Sequence, residues 1–132
     1  MTRKHTVPKV SLGYFRKKKN KYVFSLAKKM LKDLLKKCFV FVDTAPGDQL
    51  SICIADPRDT NRLVYILCRP PSTTKYYCAC EVATKEPSED SYKIIFEQED
   101  LSYQQLLDVV YRHIIERRVP KRRTRTRSPS VR

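Results

Sequence analysis

Phe39-Val-Phe-Val-Asp-Thr-Ala-Pro-Gly-Asp-Gln-Leu-Ser-Ile-Cys-Ile-Ala55 is the stretch on which the architecture turns. Its first four residues are aromatic or β-branched, the types that pack best on a pleated surface. Asp43–Asp48 then supplies a turn, in which Pro46 fixes φ and Gly47 tolerates φ > 0. Beyond it, Leu50, Ile52 and Ile54 alternate with Ser51, Cys53 and Ala55, the two-residue period of a strand with two distinct faces. Strand, turn and strand in so few residues predict an antiparallel pair.

Upstream the period changes. Val23, Leu26, Ala27, Met30, Leu31, Leu34 and Leu35 recur at helical spacing, with Lys28, Lys29, Lys32, Lys36 and Lys37 on the remaining face. Downstream, Asp56–Asn61 reads as a turn, Arg62–Arg69 as a third strand closed by Pro70-Pro71, and Tyr76–Val82 as a fourth. Thr84–Ser91 reads as a polar loop and Tyr92–Phe96 as a short apolar run. Leu101, Leu106, Leu107, Val110 and Ile114 predict a closing helix, with Ser102 as its N-cap. It should fade near Arg118, because Pro120 disfavours helical angles at Val119. The expected fold is α+β: helix, a three- to four-stranded antiparallel sheet, helix, with the two helices sandwiching the sheet. The expected domain is 21–118, preceded by a basic arm over 1–20 and followed by a disordered Arg/Ser-rich tail over 119–132.

The chain has 132 residues and a net charge of +14, and that charge is polarised. Residues 1–37 carry +12, residues 38–100 carry −5, and residues 101–132 carry +7. Basic ends around an acidic middle attract polyanions. Candidate contacts are the Arg16, Lys17, Lys18, Lys19 run, the helix residues Lys28, Lys29, Lys32 and Lys36, and Arg58 and Arg62. In the tail they are Lys121, Arg122, Arg123, Arg125 and Arg127. No run of eighteen or more apolar residues exists, so no membrane span is expected.

Enzymatic chemistry finds little support. Two glycines cannot build the Gly-rich phosphate loops. Only His5 and His113 could serve as imidazole bases, and the paired carboxylates fall in loops, so no catalytic residue and no cofactor is expected. The cysteines 38, 53, 68, 78 and 80 each lie within or beside apolar runs and read as buried free thiols. Cys78-x-Cys80 lacks both the spacing and the second ligand pair of a zinc site, so no metal is expected. Free thiols without a secretory signal imply a reducing compartment, cytoplasmic or nuclear.

Local motifs add a resemblance. Ala27-Lys-Lys-Met-Leu31, Phe39-Val-Phe-Val-Asp-Thr44, Ala45-Pro-Gly-Asp48 and Leu50-Ser-Ile52 follow one another at suggestive spacing. So do Leu63-Val-Tyr-Ile66, Lys75-Tyr-Tyr77, and Phe96 with Leu101-Ser-Tyr-Gln-Gln-Leu-Leu107. Together they resemble a Src homology 2 (SH2) domain from Tyr22 to Ile115. The resemblance implies an SH2-like module that recognises a protein or peptide partner, without enzymatic activity. It also implies a degenerate phosphotyrosine pocket. Val42 stands where the family's arginine would grip phosphate, Val64 near the family's histidine, and Phe24 near its helical arginine, while only Thr44 keeps a hydroxyl. A charged hydrogen bond contributes roughly 1.5–3 kcal/mol, so an unphosphorylated or acidic partner is expected. The same helix–strands–helix order is shared with double-stranded-RNA-binding domains and the signal-recognition-particle Alu-RNA-binding fold. A basic RNA- or DNA-binding domain is therefore the alternative.

Overall fold

A computed structural model describes residues 9–34, 38–45, 47–70, 74–84 and 92–117. The chain runs β1 (Lys9–Val10), α1 (Leu12–Lys18), α2 (Lys21–Asp33), β2 (Val40–Val42), β3 (Ser51–Asp56), β4 (Asp59–Cys68), β5 (Tyr76–Ala83), β6 (Tyr92–Leu101) and α3 (Tyr103–Val110). A π-helical turn, Tyr111–Ile115, prolongs α3. The tail over 119–132, Lys36, and the basic residues Lys121, Arg122, Arg123, Arg125 and Arg127 lie outside the described residues.

The six strands form one antiparallel sheet in sequence order. This corrects the expected three- to four-stranded sheet at both edges. Lys9 and Val10 pair with Val42 and Phe41 to add β1, a strand of two residues that carries no period to read. At the other edge, the run from Tyr92 does not stop at Phe96 but continues to Leu101 as β6. Glu97 and Glu99 suggest a loop by composition, yet they are exposed on one face while Phe96 is buried on the other. Two bulges make that possible. Cys80 faces Phe96 but Glu81 faces Ile94, so Ile95 is an extra residue, and it packs against the main core. A second extra residue falls before Leu101, where Asp100 adopts φ 58°, a left-handed conformation that a short polar side chain tolerates.

The helices do not sandwich the sheet. Register places Phe41, Ile54, Val64, Cys80 and Phe96 in one row across β2–β6, with Ile52, Ile66 and Cys78 in the next row of the same face. Those residues share one core with Phe15 of α1, with Val23, Leu26, Ala27 and Met30 of α2, and with Leu106, Val109, Val110 and Ile114 of α3 and its extension. All three helices therefore cover a single face. The opposite face carries a separate small cluster of Val42, Cys53, Ala55 and Leu63, flanked by Val40, Tyr65 and Tyr92.

Local chemistry fixes each helix. Asn20 caps α2 by accepting the Tyr22 N–H at 2.9 Å. Ser102 and Gln105 form a reciprocal capping box at the start of α3, at 3.2 and 2.8 Å. Within the stretch expected as an arm, α1 buries Phe15 completely, edge-on to Phe41 at 5.1 Å between ring centres. No helix among the described residues is long and apolar enough to cross a membrane.

Candidate polyanion interface

The outer surface of α1 and α2 follows from the residues left over once the core is filled. Burying Phe15 on α1 and Val23, Leu26, Ala27 and Met30 on α2 leaves Arg16, Lys17, Lys18, Lys21, Lys28, Lys29 and Lys32 exposed. One carboxylate, Asp33, accompanies them at the far end of α2, and it accepts a 2.7 Å hydrogen bond from the Tyr103 hydroxyl. Aromatic rings hold several of these cations. The Arg16 guanidinium lies 5.1 Å and the Lys28 ammonium 5.3 Å from the centre of the same Phe24 ring. Lys29 sits 4.3 Å from the Tyr103 ring centre and Lys21 5.6 Å from that of Tyr22. Quadrupolar attraction to the ring faces fixes long side chains that would otherwise sample many rotamers.

Lys19 does not belong to this surface. It lies four residues after Phe15, so the turn that buries the phenyl ring also carries Lys19 inward. Its ammonium pairs with Asp43 at 3.4 Å and donates to Ala45 O at 3.1 Å, to Ser51 Oγ at 3.5 Å and to Asp48 O. Asp43 also accepts from the Tyr14 hydroxyl and from the Ala45 N–H at 3.1 Å. That hydrogen bond to a carboxylate raises the Tyr14 pKa. The group ties the β2–β3 loop to α1.

Arg58 and Arg62 lie elsewhere. The Asn20 N–H bonds to Gln49 O at 3.0 Å, which sets the start of α2 beside the start of β3, whereas Arg58 follows the end of β3. There Arg58 and Arg117 both pair with buried Asp56, at 3.2 and 2.8 Å. Burial would raise the Asp56 pKa, but the Arg58 backbone and side-chain hydrogen bonds, with Arg117, hold it below the ordinary value. Arg62 is engaged by His113, donating to its carbonyl at 3.0 Å and contacting Nδ1 at 3.1 Å.

The four counterparts of a phosphotyrosine pocket are not brought together. Val42 is fully buried in the small cluster on the helix-free face, Val64 is buried on the helix-covered face, and Phe24 lies among cations on α2. Thr44 is exposed after β2, its hydroxyl 3.1 Å from the Cys53 sulfur. Burial pushes the thiols of Cys53 and Cys78 up to about 12 and that of Cys68 to about 11, as suits buried thiols that stay protonated. Among the described residues, no group of three or more His, Cys, Asp or Glu could hold a metal ion.

Reading α2 as a helix exposes Lys28, Lys29 and Lys32 without further information. The meeting of Arg16 with Lys28 at Phe24, and of Lys29 with Tyr103, depends on packing between separate elements and has no local signature. No protein-family model matches this chain, and neither a curated protein nor a solved structure matches it.

Proposed function

We propose that this chain is a non-enzymatic module that binds nucleic acid through the outer face of α1 and α2. The observation that carries the reading is the concentration of seven exposed cations between Arg16 and Lys32, with Asp33 the one acid on α1 and α2. Such a surface raises the local concentration of polyanions and releases their counterions on contact. The apolar side of α2 is consumed by the core, so this amphipathic helix has no apolar face to insert into a lipid surface. Protein interfaces usually centre on a buried aromatic or aliphatic anchor. Among the described residues, the large hydrophobics that are exposed, Ile94 and Tyr111, belong to β6 and the turn after α3, not to α1 or α2. A phosphate-rich ligand therefore fits this surface better than an ordinary protein partner does.

The test is anisotropy of labelled 20-nucleotide RNA and 20-base-pair DNA with the full chain and with a Lys28→Glu/Lys29→Glu/Lys32→Glu variant. The expected result is a loss of at least about tenfold in affinity and a shallower dependence on salt. Unchanged affinity in the variant would show that α2 does not carry the binding and overturn the reading.

A further inference from the structure

The Phe24 cluster singles out one place on this surface. Arg16 and Lys28 come from different helices, yet both lie within 5.3 Å of one ring centre, so their charges are at most about 10 Å apart, close to the screening length at moderate salt. No carboxylate among the described residues pairs with either of them. Two like charges held together by an aromatic ring repel each other, and a phosphate placed between them converts that repulsion into two charge-assisted contacts. The flanking exposed positions are Lys17, Lys18, Lys21, Ser25, Lys29, Lys32 and Asp33. None is an Asn or Gln, the side chains that pair with adenine, and Asp33 already accepts from the Tyr103 hydroxyl. Lys and Arg can also pair with guanine, so it is the seating of Arg16 and Lys28 on Phe24, not the residue types alone, that favours phosphate. The Phe24 ring is half-buried and already engaged by cations, which leaves it poorly placed to stack on a base.

Building on the nucleic-acid reading, we propose that Arg16 and Lys28 form a phosphate clamp, with Phe24 as its positioning residue, and that the surface follows the sugar–phosphate backbone without reading sequence. Lysines and an arginine that contact only phosphate add affinity equally to every sequence.

The experiment compares three full-length proteins: wild type, Arg16→Ala/Lys28→Ala, and Lys75→Ala/Lys93→Ala. The last removes the same charge from exposed positions outside α1 and α2. Two 20-nucleotide RNAs of unrelated sequence are titrated from 50 to 300 mM salt. The clamp variant should lose about tenfold or more on both RNAs and lower the log–log salt slope by about 1.4, and the control by less than half of that. Phe24→Leu, which keeps an apolar side chain over the core, should reproduce part of the loss. Equal loss in the control variant would reject the clamp while leaving nucleic-acid binding intact. A difference of tenfold or more between the two RNAs would reject backbone-only recognition. No salt-dependent binding by wild type would reject both the clamp and the function on which it rests.

Discussion

The Lys19 ammonium lies 3.4 Å from the Asp43 carboxylate, with the two side chains only 1% and 5% exposed. A buried ion pair adds little net stability over a well-packed apolar pair, but removing one partner strands the other charge in a poorly solvated site. Here the cost is compounded, because the ammonium also bonds to two loop carbonyls and a serine. Lys19→Ala should therefore lower unfolding stability by about 3–5 kcal/mol in urea titrations. The neighbouring Lys18→Ala should change it by less than about 0.5 kcal/mol, since Lys18 is exposed. Equal effects at the two positions would show that Lys19 is no more buried than its neighbours.

Acid sensitivity should centre on His113. Its ring is fully buried, with Nδ1 3.1 Å from the Arg62 guanidinium and Nε2 3.1 Å from Glu81 O. Nδ1 therefore accepts and Nε2–H donates, so the neutral ring satisfies both partners. Protonation would set a second N–H against a cation. Burial first, and Arg62 second, lower the pKa from 6.5 to about 4. The unfolded chain then binds the extra proton more readily than the folded one between those two values, so stability falls as pH falls through that window. From pH 7 to pH 5 the loss should be about 2 kcal/mol in urea midpoints at constant m-value. His113→Gln should flatten that slope. Below the window Asp56, whose pKa is lowered in the fold, adds a further loss as it becomes protonated.

Val42 offers a direct check on the resemblance to phosphotyrosine-binding domains. It occupies the position where that resemblance would put the phosphate-gripping arginine, but its side chain is fully buried among Cys53, Ala55 and Leu63. Val42→Arg would place an unpaired guanidinium in apolar surroundings. The expected outcome is destabilisation of about 3 kcal/mol or more, with no gain in affinity for a tyrosine-phosphorylated peptide. A stable variant that binds such a peptide would reopen the pocket.

The sequence reveals those features whose physical signal is local. Leu26, Ala27 and Met30 recur at helical spacing, and a helix with those residues inward follows from the chain alone; it spans Lys21–Asp33. Ile52 and Ile54 likewise announced β3, where they fall on the helix-covered face. Phe15 carries no local signal, because an aromatic pair followed by four basic residues looks like part of a solvated arm, and its burial depends on Phe41 far along the chain. Arg62 looked available for an anion because its partner His113 lies 51 residues away. The side of the sheet on which each helix settles was equally invisible, since both faces of β3 carry buried residues throughout.

Acidic residues mask the strand period in the second half of β6, and the same place yields the sharpest backbone test. Asp100 adopts φ 58° at the bulge that lets β6 end on buried Leu101 and hand over to the Ser102 cap. Left-handed geometry costs a residue with a Cβ about 1 kcal/mol or more, least for Asp and Asn and most for β-branched side chains. Asp100→Gly should therefore be neutral or stabilising by up to about 1 kcal/mol. Asp100→Val should destabilise by about 1–2 kcal/mol, although the position is exposed and an ordinary surface valine on a strand would be favourable. Thermal unfolding of the two variants distinguishes the cases, because strand propensity alone predicts the opposite order. Should Val prove the more stable of the two, the left-handed turn at Asp100 would be wrong, and β6 would have to meet α3 by another path.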